Sequence, residues 1–280
     1  MIELKNLTKK FDNFTAVDHL SFTVGTGEFF GLLGPNGAGK TTTLGMISTV
    51  LLPTEGEVLI DGVRIDRKTS EQKRKLSVVT QEFSMRQDMN MDEVMEYQGR
   101  LYFLPIRKIR EKTDELFDFA GLAEHRRKTV RHLSGGMKRK LMVCRALLTD
   151  PEIILLDEPT AGMDAIARRQ MWNILKKLNE RDITIILTTH YMEEAQLLCT
   201  HTALLNRGKL SKLDTPENLI SELGAYAVDV TEKETLKSRY FTEREEAIEY
   251  LKTAGQGAAL RATNLEDVFI ECSGQKIARG

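Results

Sequence analysis

Apolar and polar residues alternate through the first 30 positions, as in Ile2-Glu3-Leu4 and Leu20-Ser21-Phe22-Thr23-Val24, with Gly25 and Gly27 as punctuation. A period of two predicts short antiparallel strands at the edge of the fold. Residues 28–33 lose the alternation and read as a buried strand, followed by a helix over 41–52 that Pro53 stops. Residues 57–62 look like another strand with a turn. From about Asp88 to Thr149, charged and apolar residues recur at helical spacing, which predicts a mostly helical insert. Two apolar runs, 153–156 and 183–187, then flank a helix predicted over 165–180, the pattern of a parallel β-α-β unit. After Leu213 the pattern resets. A short helix from Pro216 to Gly224, a strand at 226–230, a helix at 243–253, a weak strand at 258–261 and a last helix capped by Asn264 make a small α+β appendage. The class is α/β, divided into residues 1–214, with the insert at about 84–150, and an accessory region at 215–280.

With 280 residues and 41% hydrophobic content, the chain can bury a sizeable core. Its 40 basic and 41 acidic side chains nearly cancel, so there is no global basic footprint of the kind nucleic acid demands. No apolar run approaches the roughly 20 residues that span a bilayer, and the N-terminus has no basic-then-apolar signal pattern. Cys144, Cys199 and Cys272 are widely spaced and form no C-x-x-C pair, which predicts reduced thiols in a cytosolic protein.

The chemistry concentrates at the ends of the predicted core strands. Gly34-Pro35-Asn36-Gly37-Ala38-Gly39-Lys40-Thr41 fits G-x-x-x-x-G-K-[ST], between a strand and a helix. Successive backbone N–H groups there can wrap a nucleotide's phosphates. Lys40 would reach the β- and γ-phosphates, Thr41 would hold Mg²⁺ and Thr42 would contact the α-phosphate side. Mg²⁺ takes oxygen ligands together with phosphates, and Asp157 ends a core strand where it can support the ion. Glu158 follows and can polarise an attacking water. His190 directly follows another core strand, on the edge where α/β proteins bind ligands, and can touch the γ-phosphate. Gln81 sits where strand 76–79 passes into the insert, and its amide can contact the metal or its water. Finally, Leu133-Ser134-Gly135-Gly136-Met137 offers a capped helix N-terminus with an open backbone, a second anion site in a chain that already has one.

Together these residues resemble the ABC-type ATPases: Walker A at 34–41, the Q-loop residue Gln81, the signature Leu133–Met137 and Walker B at 153–157 with Glu158. The D-loop is Ala161-Gly162-Met163-Asp164 and the H-loop residue is His190. The resemblance covers about residues 1–215. It implies a phosphate-loop NTPase core, ATP with Mg²⁺, and a head-to-tail dimer in which each ATP lies between one chain's Walker A and the other's Ser134, Gly135 and Gly136. It also implies that Asp164 approaches the shared nucleotide and that Phe11 stacks on adenine in place of the more usual tyrosine. Met137 and Met163 depart from the commoner Gln and Leu of the family. The Gly-Gly-Met-Lys-Arg continuation and Asn264-Leu265-Glu266-Asp267-Val268-Phe269 resemble ATPase subunits of drug-resistance, ABC-2-type exporters. The expected partners are a second copy and a separate integral membrane permease, at the cytoplasmic face of a membrane. The alternative is a soluble ABC ATPase acting on nucleic acid or ribosomes. Its best support is the basic run Arg126-Arg127-Lys128…Arg131…Lys138-Arg139-Lys140, which a solvated face of the insert explains more simply.

Overall fold

In the computed structural model, which describes residues 1–232, 235–254 and 257–273, the alternating N-terminus forms strands β1 (Ile2–Phe11) and β2 (Phe14–Val24). At 10 and 11 residues these are longer than the short strands expected. Three register irregularities between Ile2↔Val24 and Phe11↔Phe14 let the hairpin twist without ending it. β4 (Glu55–Ile60) pairs antiparallel with β1, and β5 (Val63–Arg64) with β4, giving a sheet of order β2-β1-β4-β5.

The second sheet contains β3 (Phe29–Leu33), β6 (Leu76–Val79), β7 (Ile153–Asp157), β8 (Thr184–Thr189), β9 (His201–Asn206) and β10 (Lys209–Asp214), in the order β10-β9-β3-β8-β7-β6. All pairings are parallel except the β10 edge. β3, β7 and β8 are buried along their whole length. Both faces of a parallel sheet are covered, which explains the missing alternation. The period of two survives inside the protein: Phe29, Leu33, Ile154 and Leu156 enter one core, while Phe30, Leu32, Ile153 and Leu155 enter the other. The second of these cores lies under the antiparallel sheet, where Phe22 and Phe30 stack with centroids 5.0 Å apart.

Helix α1 (Lys40–Ile47) ends well before the expected limit at residue 52. Thr49 takes a positive φ of 60°, and the Leu51 N–H returns to the Gly45 carbonyl at 2.9 Å. Leu51 then packs over Gly45, whose missing Cβ would sit 2.9 Å from Leu51 Cδ1. The stop is therefore a left-handed turn, not Pro53. The short α2 (Ser70–Arg74) precedes β6. The insert comprises α3 (Met91–Leu101), opened by an Asn90/Glu93 capping box, α4 (Ile106–Ala120), and α5 (Gly135–Leu147). It covers the other face of the sheet through residues such as Phe117, Leu141 and Val143. Between β7 and β8 runs α6 (Ala165–Asn179), and α7 (Met192–Leu198) follows β8.

Beyond β10 come α8 (Pro216–Leu223), β11 (Tyr226–Glu232), β12 (Thr235–Phe241), α9 (Arg244–Thr253), β13 (Ala259–Ala262) and α10 (Leu265–Ser273). β12, which the residue pattern did not suggest, pairs with β11 in a sheet of order β12-β11-β13. Asn264 caps α10, its Oδ1 accepting from the Asp267 N–H at 3.1 Å. α10 packs on α7 and α8, and Leu219, Leu265 and Val268 join the larger core.

Candidate nucleotide-binding site

The ends of β3, β7 and β8 lie side by side on one sheet edge, so Gly34, Glu158 and His190 emerge together. Residues 34–39 turn sharply from β3 into α1. Gly39 has φ 101°, and a Cβ there would lie 2.6 Å from the Ala16 carbonyl oxygen. At Gly34, φ is 155° and the corresponding approach, to the Leu205 carbonyl oxygen, is 2.5 Å. Neighbouring backbone thus forbids any side chain at either position. The loop and the start of α1 wall a cavity of about 290 Å³, together with Gln81, Glu158 and His190, and Phe14 and Ala16 complete the wall. Exposed N–H groups of a loop and helix N-terminus suit phosphate.

Lys40 is buried, with Nζ donating to the carbonyls of Gly34 at 2.8 Å and Pro35 at 3.2 Å. The same nitrogen lies 3.5 Å from Glu158 Oε1. The Thr41 hydroxyl donates to Asp157 Oδ1 at 3.1 Å, and the Thr188 hydroxyl donates to that oxygen at 2.6 Å. Glu158 is held in the left-handed region at φ 49°, unusual for a side chain of this size. Its N–H donates to both the Thr188 carbonyl (3.1 Å) and hydroxyl (3.0 Å). This turns the carboxylate back across the sheet edge, where Oε2 shares a hydrogen bond with His190 Nδ1. A cation, a carboxylate and an imidazole thus meet around one cavity.

Gln81 lines the cavity from the far side, and the backbone around it is gripped by α5. Arg139 Nη1 donates to the Thr80 carbonyl at 2.7 Å and Nη2 to the Gln81 carbonyl at 2.9 Å. Arg145 donates to the Ser84 carbonyl at 2.9 Å and hydroxyl at 3.1 Å. Arg139 is 3% exposed, and burial lowers its guanidinium pKa below the ordinary arginine value. It is therefore not part of the solvated face expected for the basic run. Arg126 in that run is also engaged, paired with Asp92 at 2.8 Å and Asp114 at 2.7 Å. Arg139, Met142, Val143 and Ala146 share the spacing i, i+3, i+4, i+7, a signal in the sequence that this arginine faces inward.

The fold gathers Asn36, Gly37, Ala38, Gly39, Lys40, Thr41, Thr42, Gln81, Glu158 and His190 into one wall, with Gly34 and Asp157 directly behind. Ser134, Gly135, Gly136, Asp164 and Phe11 are not in that wall. Ser134 caps α5, its Oγ accepting from the Met137 N–H at 3.2 Å, and Asp164 caps α6 through the Ala167 N–H at 2.8 Å. A Cβ on Gly135 would meet nothing within 4 Å, so that helix N-terminus is open to approach. Phe11 sits across the hairpin from Phe14 with Lys9 Nζ 5.0 Å over its ring. It is Phe14, 62% exposed, that borders the cavity.

The sequence model of the ABC transporter family matches residues 17–161. The chain belongs to that family. Over 298 residues it is 36% identical to Nod factor export ATP-binding protein I of Cupriavidus metallidurans, a match covering 99% of this chain and 98% of the relative. It is also 35% identical over 224 residues to linearmycin resistance ATP-binding protein LnrL of Bacillus subtilis, covering 80% of this chain and 72% of that one. Among solved structures it resembles the dimeric ATP-binding cassette MJ0796 bound to ADP and Pi, with TM-score 0.69 and 28% identity, over 77% of this chain and 98% of that one. This ABC cassette protein binds ATP and hydrolyses it to drive transport.

Proposed function

We propose that the chain is the ATPase subunit of an exporter, that two copies act head to tail, and that separate membrane chains form the permease. The end-to-end match to a protein named for Nod factor export supports the exporter reading. The observation that carries the pairing is that Ser134, Gly135 and Gly136 form an exposed helix start away from the cavity of their own phosphate loop. A second copy's helix start would complete each site by offering N–H donors to the γ-phosphate.

In this reading the phosphates lie along residues 36–42, with Lys40 leaving its loop carbonyls for the β- and γ-phosphates. Thr41 and Asp157, whose oxygens are 3.1 Å apart, and Gln81 provide oxygen donors of the kind Mg²⁺ takes. Among the described residues no group of three or more His, Cys, Asp or Glu is placed to hold a metal, so phosphate and water oxygens would complete the set. The ion would neutralise charge on the transferring phosphoryl group. Glu158 orients and polarises water for in-line attack, and His190, already bonded to it, steadies both that carboxylate and the γ-phosphate. Residues 1–214 form the cassette and 215–280 an accessory region. A groove of about 250 Å³ lined by Ile47, Ile60, Leu76, Tyr102 and Arg145, with the 93% exposed Phe103 nearby in sequence, receives a permease segment. Arg145 also holds Ser84, which links that groove to the Gln81 loop. No helix among the described residues is long and apolar enough to cross a membrane, so attachment at the cytoplasmic face would run through the permease.

Replacing Glu158 by Gln is expected to cut ATP turnover on the order of 10²–10⁴-fold with ATP affinity retained. Steady hydrolysis by this variant would remove Glu158 from the assigned role.

A further inference from the structure

Glu194, in the first turn of α7, is fully buried, yet among the described residues no cation is paired with it. Its Oε1 accepts from the Thr160 hydroxyl at 2.9 Å and from the Trp172 indole N–H at 2.9 Å, while its Oε2 has no hydrogen-bond partner among the described residues. Thr189, directly before His190, lies beside the same carboxyl. Burial pushes this carboxyl above its ordinary value. A glutamate in such a place costs stability that an apolar side chain would not. The feature that sets the position apart is which segments meet at the one oxygen.

Thr160 lies two residues after Glu158, in the turn where the Ala161 N–H returns to the Glu158 carbonyl at 3.2 Å and the Met163 N–H returns to the Thr160 carbonyl at 3.1 Å. That turn ends at Asp164, the cap of α6. Trp172 belongs to α6 itself. Its ring lies under the Arg168 guanidinium at 5.6 Å, and the same guanidinium stands 5.3 Å over Tyr191. The Tyr191 ring is 4.1 Å from that of His190. Glu194 is four residues beyond His190. One carboxyl oxygen therefore ties the turn that follows Glu158, the helix that follows that turn, and the helix that follows His190.

We propose that Glu194 is a positioning residue for hydrolysis, holding the Glu158 turn and the His190 turn in fixed register so that their hydrogen bond survives closure of the pair. The proposal rests on the reading that Glu158 and His190 act at the γ-phosphate. Glu194 touches neither nucleotide nor water. It acts as an acceptor, and a neutral amide oxygen can replace it in that role.

The test compares Glu194→Gln, Glu194→Ala and Thr160→Val in the full chain, with ATP affinity measured alongside turnover. Loss of the joint acceptor in Glu194→Ala is expected to lower kcat about 10- to 100-fold with ATP affinity changed less than about 3-fold. Thr160→Val, which removes one donor at nearly constant shape, should lower kcat by about 3- to 10-fold, and Glu194→Gln should stay within about 3-fold of the parent. In a His190→Ala background, followed by single-turnover hydrolysis, the further loss on adding Glu194→Ala should shrink to less than about 3-fold. Full multiplication of the two losses, equal damage from Gln and Ala, or unchanged turnover in Glu194→Ala would each overturn the proposal. Hydrolysis surviving Glu158→Gln would instead overturn the reading beneath it, and the two failures are distinguishable because they appear in different variants.

Discussion

The phosphate-loop cavity and the start of α5 are both glycine-rich and both suited to anions, yet their surroundings are opposite. Around the cavity the charged groups are engaged within the chain: Lys40 on two carbonyls and a carboxylate, Asp157 on two hydroxyls, Glu158 on His190. Gly34 and Gly39 are pressed against backbone. At α5, Gly135 faces open space and Ser134 uses its hydroxyl to cap its own helix. Close backbone contact requires glycine at 34 and 39, whereas the open space at Gly135, which has no positive φ, leaves that helix start accessible. The difference teaches that one half of the proposed site is built within the chain while the other half is presented outward.

The largest effect that can break this comparison comes from adding one methyl group to each region. Gly39→Ala, with positive φ and a contact at 2.6 Å, is expected to cost about 2–4 kcal/mol, visible as a lower midpoint in urea unfolding, and to abolish ATP binding. Gly135→Ala should leave stability within about 0.5 kcal/mol while impairing hydrolysis by the assembled pair. Equal loss of stability in both variants would erase the contrast.

Next in size is the link between the regions. Arg139→Ala strands the Thr80 and Gln81 carbonyls, which face a buried guanidinium, and should cost about 1–3 kcal/mol together with a raised KM for ATP, checked by unfolding and steady-state kinetics. Arg139→Lys, with a single point charge in place of a planar fork, should restore only part of both. The smallest expected effect concerns the aromatic at the cavity edge. Phe14→Ala should weaken ATP binding by about 1 kcal/mol, roughly 5-fold, and Phe11→Ala by less, read by calorimetric titration. The reverse order would return Phe11 to the adenine.

Much of the fold was legible because it depends on local pattern. The apolar runs of β3, β7 and β8, the glycines before α1 and the caps at Ser134 and Asn264 announce themselves within a few residues. Other features depend on partners distant in sequence. The end of α1 is set by Leu51 folding onto Gly45, β12 by its pairing with β11, and the choice of Phe14 at the cavity by how the hairpin tip lies over the loop. Arg139 and Glu194 were hidden for a different reason: charged residues are usually solvated, so the helical spacing of Arg139 with apolar residues was outweighed by its charge, and packing shows both to be buried between segments.

The central claim, a site divided between two copies, is tested most directly by mixed pairs carrying Lys40→Ala and Ser134→Ala, with nucleotide retained per pair measured in a Glu158→Gln background. With the two changes on opposite chains, both fall in one shared site, and one nucleotide per pair should be retained. With both changes on one chain opposite an unaltered partner, each site is damaged once, and retention should fall toward none. If the single-chain arrangement keeps one nucleotide and the split arrangement keeps none, Ser134 serves its own phosphate loop and the divided site is wrong.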